Sequence, residues 1–277
     1  MSDAGTTDEK IRVVVMGAAG RMGTTVCRAV LDAPDMELVA VVDPPNMDRP
    51  LDDFGIAGTG LTLEMVGPSV KKADPHVAVD FTNIDGVRSN SRWCALNGVH
   101  AVIGTTGLTE GDMQDLTGLF DGQRANAVVA PNFAIGAVLM MHLAAIAAPW
   151  FESAEIIELH HENKIDAPSG TAMLTAERIA ETSTDWVPDP TQKHVLEGAR
   201  GGKGPGGIPI HSVRLRGLVA HQEVLLGTTG QSLSIRHDSY DRTSFMPGVL
   251  LAVREVRNRP GLTIGLDNLL GFGSQPA

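Results

Sequence analysis

Apolar residues in this chain follow two rhythms. At 11–16, 38–42, 77–81, 101–103 and 127–129 they form short, nearly continuous runs, and between these runs, at 24–31, 87–97 and from 109 onward, they recur at helical spacing. Thr109-x-x-Asp112 reads as a capping-box variant opening one of these helices. Near-continuous strands alternating with helices predict a parallel sheet covered on both faces. Residues 47–60, acidic and glycine-containing, read as a surface excursion.

A different organisation begins after residue 133. Residues 133–151 are apolar apart from His142, which raises the question of a membrane span. Richness in Ala, Gly and Met, strand signals on either side and the lack of a second span favour a helix of about 136–148 buried between domains. A strand at 155–161 and a helix at 171–181 follow, and then 183–207, a long Gly- and Pro-rich stretch of the kind used for lids and binding loops. Residues 211–216 alternate polar and apolar, and strands at 220–226 and 231–237 are joined by Gly227-Thr228-Thr229-Gly230. Short connections imply antiparallel neighbours, hence an open mixed sheet. A sheet face without helices is commonly buried by self-association, which is expected here. A helix at 245–256 and a strand at 262–264 resemble another βα repeat that returns to the first part of the chain.

Length fits two domains, although one large α/β domain would also fit 277 residues. The excess of 33 acidic over 22 basic residues, a net charge of -11, argues against general nucleic-acid binding. Cys27 and Cys94 are the only cysteines and both lie in apolar helical patterns, so neither a disulfide framework nor a cysteine metal site is expected, and a reducing cytoplasm fits best. Residues 1–10 are polar, lack the layout of a signal peptide and read as a tail.

Two stretches carry chemistry. The first strand ends at Gly17-Ala18-Ala19-Gly20-Arg21-Met22-Gly23, where missing side chains let backbone N–H groups approach a pyrophosphate. The spacing is G-x-x-G-x-x-G, not the commoner G-x-G-x-x-G, and a tight turn without a ligand would also use three glycines. Asp43, 20 residues beyond Gly23 at the end of the second strand, adds the acid that accepts bonds from adenosine ribose hydroxyls. Pro44 then offers no charge for a 2′-phosphate, so NADH should be used well, with NADPH possible if Arg21 or a lysine compensates. At later strand ends lie Phe81-Thr82, Gly104-Thr105-Thr106-Gly107 and Ala130-Pro131-Asn132-Phe133, suited to a nicotinamide nucleotide or serving as ordinary βα turns.

The second stretch runs Leu159-His160-His161-Glu162-Asn163-Lys164-Ile165-Asp166-Ala167-Pro168-Ser169-Gly170-Thr171-Ala172. Histidine and lysine can move a proton, and a helix starting at Ser169-Gly170-Thr171 presents N–H groups and hydroxyls to an anion. The plainer alternative is a polar loop that caps the next helix. Over 193–216, Lys193, Arg200, Lys203, Arg214 and Arg216 face one acid, Glu197, which suits an anionic substrate or a solvated or subunit-facing patch. A thioester-forming aldehyde dehydrogenase would need a cysteine in the second half, and a Glu-Lys-Pro sugar-oxidoreductase motif is absent. A sensor that has lost catalysis is disfavoured by intact His160 and Lys164.

Taken with Ile208-Pro209-Ile210-His211-Ser212-Val213-Arg214, these motifs resemble, in order from about residue 11 to the C-terminus, the dihydrodipicolinate reductase family, the 4-hydroxy-tetrahydrodipicolinate reductases of lysine and diaminopimelate biosynthesis. The resemblance implies an α/β fold with a Rossmann-like dinucleotide-binding domain over 1–133 and 244–277. Residues 134–243 would form an α+β substrate-binding and tetramerisation domain with an open mixed sheet. His160 is implied as proton donor or acceptor, Lys164 as a further donor, and His161 with Ser169, Gly170 and Thr171 as holding a small dicarboxylate. Gly17, Ala18, Ala19, Gly20, Arg21, Met22, Asp43, Gly104, Thr105, Thr106, Ala130, Pro131, Asn132 and Phe133 would hold NADH or NADPH. The family is homotetrameric, cytoplasmic in bacteria, and often accepts both NADH and NADPH; for this chain no metal, membrane or nucleic-acid partner is expected. Members that favour or accept NADPH often carry Arg after the acidic residue, and Pro44 departs from that pattern.

Overall fold

The computed structural model describes residues 9–272, so most of the expected N-terminal tail lies outside the described residues. The chain divides into two units, one up to Phe133 together with the residues from Phe245 onward, the other Ala134–Ser244. The second boundary falls one residue later than the sequence reading places it. Ser244 belongs with the preceding turn because its hydroxyl donates to the Asp241 carbonyl at 2.8 Å.

The first unit follows the order β1 (Ile11–Met16), α1 (Arg21–Asp32), β2 (Met36–Val42), β3 (Leu63–Glu64), α2 (Pro68–Lys72), β4 (Val77–Asp80), α3 (Ile84–Asn97), β5 (His100–Ile103), α4 (Glu110–Phe120) and β6 (Ala127–Val129). The second contains α5 (Ile135–Ala147), β7 (Ser153–His160), α6 (Gly170–Thr182), β8 (Gly202–Lys203), β9 (Pro209–Arg214), β10 (Ala220–Thr228) and β11 (Gln231–Ser239). The chain then returns to the first unit with α7 (Met246–Glu255) and β12 (Leu262–Ile264).

Seven strands of the first unit form one sheet in the order β12-β6-β5-β4-β1-β2-β3, with parallel pairing throughout. Val13, Val14 and Val15 are all fully buried, which is why their run shows no alternation: both faces of the strand are covered. The returning segment completes this unit from within. β12 pairs with β6, and the Asn126 side chain donates to the carbonyls of Val256 and Arg257 and accepts from the Gly261 N–H.

At α4 the capping box is complete: Thr109 Oγ1 accepts from the Asp112 N–H, and the Asp112 carboxylate accepts from the Thr109 N–H at 2.8 Å. Thr109→Ala is expected to cost about 1 kcal/mol, read as a lower urea midpoint with an unchanged m-value. Cys27 and Cys94 are buried and unbridged. Burial pushes both thiols up, Cys27 to about 12, which removes them as nucleophiles.

Some segments differ from expectation. Residues 47–60 do run over the surface, but Leu51 and Ile56 are buried and anchor them. The two-residue strands β3 and β8 and the short α2 are too brief to leave a periodic signal. α5 is buried along one face only. Ala137, Val138, Met140, Met141 and Ala144 are buried, whereas Leu143 and Ile146 are 48% and 57% exposed. Among the described residues no helix is long and apolar enough to cross a membrane.

The second unit is an open mixed sheet in the order β11-β10-β7-β9-β8. β7 runs parallel to β9 and antiparallel to β10. Along β7 alternate residues turn to the two faces, and Ala154, Ile156 and Glu158 are buried with Val224, Leu226 and Ile210 of the neighbouring strands. α5 and α6 pack on each other and against strands β11 and β7 of this sheet. Ile157, Leu159, Val213 and Leu225, of opposite parity, are only half-buried.

Candidate active site

β1 delivers the chain to Gly17, whose φ of +79° lies in the left-handed region that favours glycine. Gly23 is required for a different reason. A Cβ there would stand 2.0 Å from the Gly17 carbonyl oxygen and 2.7 Å from Ala18 Cα, so only glycine lets α1 rest directly on the turn. The turn consumes its own amides: Gly17 and Ala18 donate to the Val42 carbonyl, Gly20 donates to Gly17, and the Ala19 N–H donates to Asp43 Oδ2 at 3.1 Å. No side chain caps α1, so its first-turn N–H groups at residues 21–23 have no intrahelical partner and form the anion-binding end.

Asp43 is buried, and its second oxygen accepts from Asn46 at 2.8 Å. Both carboxylate oxygens are thereby aimed and retain lone pairs for further donors. Arg49, the first cation after Asp43, is occupied by Asp53 and Asn46 and stacks over the Phe54 ring.

Beside the turn lies a cleft of about 810 Å³. It is lined by Arg21, Met22, Gly104, Thr105, Thr106, Pro131, Asn132 and Phe133 among the expected residues. Gly17, Ala18, Ala19 and Gly20 form the adjoining turn, to which Asp43 is bonded, and Ala130, which precedes Pro131, is buried and does not line the cleft. Rings of Phe81 and Phe133 meet at 5.9 Å and 55°. Thr82 is fixed from below by Asp80, which accepts from its N–H at 2.8 Å and its hydroxyl at 2.6 Å. Burial pushes the Asp80 carboxyl up, and the bonds from Thr82 and Asn90 oppose that shift. Asn83, Ile84, Asp85 and Phe245 also line the cleft. Asn83 could have been read from its place as N-cap of α3, where it accepts from Gly86, but nothing local marks Phe245, which returns from far along the chain.

In the second unit β7 ends in chemistry. Glu158 is fully buried, and two residues later on the same face His160 brings Nδ1 to 2.5 Å from Glu158 Oε2. Arg214, in register with His160 on β9, grips both oxygens of Glu158 at 2.8 Å. Burial alone would raise Glu158, but hydrogen bonds from His160, Arg214 and Ser212 overrule it and hold the carboxyl at about 2. The Ser169 N–H donates to Glu158 Oε1 at 3.2 Å, while the Ser169 hydroxyl caps α6 by accepting from the Ala172 N–H. Arg214 also donates to the Asp166 carbonyl at 2.6 Å. Lys164 sits on both oxygens of Asp166 at 2.8 Å, and that ammonium lowers the Asp166 carboxyl. The segment 160–171 is therefore tied together through Glu158 and Arg214.

The two histidines differ in setting. His160 is the last residue of β7 and half-buried, whereas His161 lies past the strand end and is exposed. Gly170 opens α6 with nothing within 4 Å of where a Cβ would be. The basic stretch 193–216 does not form an open anion pocket. Arg200 is spent on Glu155 and Asp189 and Arg214 on Glu158, because buried or flanking carboxylates claim them first. Glu158 itself went unread as a site residue, although an acid at an inward position of an alternating strand is a visible anomaly.

Comparison with known proteins sets this geometry beside characterised families. Residues 11–133 match the family model described as dihydrodipicolinate reductase, N-terminus, and residues 136–270 match dihydrodipicolinate reductase, C-terminus. Proteins named 4-hydroxy-tetrahydrodipicolinate reductase from Corynebacterium urealyticum and Mycobacterium marinum are 49% and 50% identical. Those matches cover 95% of this chain and 99% and 100% of the relatives. A solved structure described as dipicolinate-bound dihydrodipicolinate reductase from Paenisporosarcina sp. TG-14 superposes with a TM-score of 0.82 at 43% identity, covering 94% of this chain and 99% of that one.

Proposed function

The chain belongs to the dihydrodipicolinate reductase family, and from that membership and the site geometry we infer how it works. It is an oxidoreductase of lysine and diaminopimelate biosynthesis that reduces 4-hydroxy-tetrahydrodipicolinate with a pyridine nucleotide. In this reading the nucleotide belongs to the first unit and the substrate with its proton source to the second.

The first unit fits a dinucleotide. The uncapped end of α1 suits the pyrophosphate, Asp43 suits the ribose hydroxyls, and Thr82, Gly104 to Thr106 and Pro131 to Phe133 border a cleft large enough for the rest. When bound, the nicotinamide supplies the hydride. In the second unit, the observation that carries the reading is His160 clamped to a buried carboxylate in the segment that also holds Lys164 and the start of α6. Loss of the 4-hydroxyl as water leaves an unsaturated ring to which the hydride adds; His160 supplies the proton that this ring must gain, and Lys164 serves as a second donor. His161 at the strand end, Ser169, Gly170 and Thr171 at the helix N-terminus, and the Lys164 ammonium hold the two carboxylates. The outer face of the five-stranded sheet, with its half-buried Ile157, Leu159, Val213 and Leu225, supports self-association as a homotetramer, and a cytoplasmic setting fits the two buried free thiols.

The deciding experiment is a coupled assay. Pyruvate and aspartate semialdehyde are condensed by the upstream synthase and oxidation of the reduced nucleotide is followed on adding this protein. No oxidation with either nucleotide defeats the reading. Run with each cofactor in turn, the same assay is expected to give a kcat/KM for NADH at least equal to that for NADPH, because Pro44 follows Asp43 and Arg49 is already committed. A clear NADPH preference would overturn that assignment.

A further inference from the structure

We infer that Glu158 is a positioning residue for the reduction: it fixes the tautomer of His160 and ties that histidine to the N-terminus of α6. This rests on the reading of His160 as proton source.

Glu158, held as a carboxylate by Arg214, has acceptors only, so a ring nitrogen 2.5 Å away must be the donor. Nδ1 of His160 therefore carries hydrogen in both charge states. Nε2 is left as the atom that gains and loses the proton, and no described residue bonds to it. The His160 side chain as a whole keeps 15% exposure. Other imidazoles of this unit are spent differently. His221 has Nδ1 on Asp238 and Nε2 accepting from the Val219 N–H, and His211 has Nε2 on Glu155. His221 is thus locked at both nitrogens, whereas His160, like His211, is held at one.

The charged and polar groups packed around His160 are few. Glu158 shares its strand and Arg214 lies in register with it on β9; Arg214 in turn reaches the Asp166 carbonyl, and the Asp166 carboxylate holds Lys164. On β10 the residues in register with His160 and Glu158 are Ala220 and Gln222, both uncharged. The same Glu158 oxygens accept from Arg214 and from the Ser169 N–H, and Arg214 reaches on to the Asp166 carbonyl. One carboxylate thus sets the distance between proton source, lysine loop and anion-holding helix end. Stability does not explain the pair, since well-packed apolar residues in place of a buried ion pair are often as stabilising.

The first test needs no turnover. Imidazole 15N spectra of the wild-type protein, with His160 assigned by the signal lost in His160→Asn, are expected to show the neutral ring protonated at Nδ1. A neutral ring protonated at Nε2 would overturn the inference. Glu158→Gln is expected to shift that signal toward the Nε2–H form and to lower kcat by about 10- to 100-fold, with the NADH KM within about twofold of wild type. Glu158→Asp, which keeps the charge, should recover part of the loss. A folded Glu158→Gln protein with wild-type kcat and an unchanged His160 signal would show the role to be structural alone and overturn the inference. Should Glu158→Gln fail to fold, the wild-type spectrum decides by itself. Failure of the coupled assay would remove the reaction but leave the tautomer result standing, so the two can be told apart.

Discussion

His160→Ala is expected to lower kcat by about 10²- to 10⁴-fold, the contribution typical of a positioned general acid. Nucleotide affinity, measured by fluorescence titration with NADH, should stay within about twofold, because every residue proposed to hold the nucleotide belongs to the other unit. The fold should survive, since Glu158 keeps both bonds from Arg214 when the imidazole is removed. Lys164→Ala should behave alike in kcat and should also raise the substrate KM, because the ammonium is proposed to hold a carboxylate as well as a proton. Its present partner Asp166 is exposed and can be rehydrated at little cost. Near wild-type turnover in both variants would defeat the catalytic assignment, and loss of NADH binding in either would mean that the defect is structural.

Gly23→Ala is expected to be the most damaging single methyl group in the nucleotide unit. The added carbon would sit 2.0 Å from the Gly17 carbonyl oxygen and 2.7 Å from Ala18 Cα, and neither is the movable end of a side chain. α1 must lift off the turn, which displaces the first-turn amides and the Ala19 to Asp43 bond together. A stability loss of roughly 1–3 kcal/mol is expected from overpacking, together with a fall in NADH affinity of at least about tenfold. Gly118→Ala is the control: it lies within α4 with nothing within 4 Å of the new carbon, and there alanine should stabilise by about 0.5–1 kcal/mol. Equal behaviour of the two variants in denaturant and in NADH titration would refute the steric argument.

The strands of the nucleotide unit were legible because burial on both faces leaves an unbroken apolar run, and 11–16 and 127–129 coincide with β1 and β6. The return of the C-terminal helix and strand was also legible, as a βα repeat displaced in sequence. What escaped notice lacked a period or lay far away. β3 and β8 are two residues long, and Phe245 reaches the cleft border from more than a hundred residues beyond its other lining residues. At the catalytic segment His160 and Lys164 were readable as residue types. Arg214 was readable only as charge, because which carboxylate would capture it is decided by strand register: β9 sets Ser212 opposite Glu158 and Arg214 opposite His160. The basic stretch looked like an anion pocket for the same reason, since composition counts cations without showing that Arg200 and Arg214 are already neutralised.

The return of the chain to its first unit carries a consequence for biosynthesis. A ribosome releases β1 to β6 first, yet at that moment β6 has an open edge and the side-chain amide of Asn126 lacks the carbonyls of Val256 and Arg257. Gly248, which packs on the Phe133 carbonyl, and Arg254, which grips Asp35 at 2.7 and 2.9 Å, arrive only after all of β7 to β11. The half of the protein that is begun first is finished last. A message truncated after codon 244 would therefore encode a whole substrate unit and an incomplete nucleotide unit with an unpaired sheet edge, a form that quality-control proteases can distinguish from the full-length enzyme.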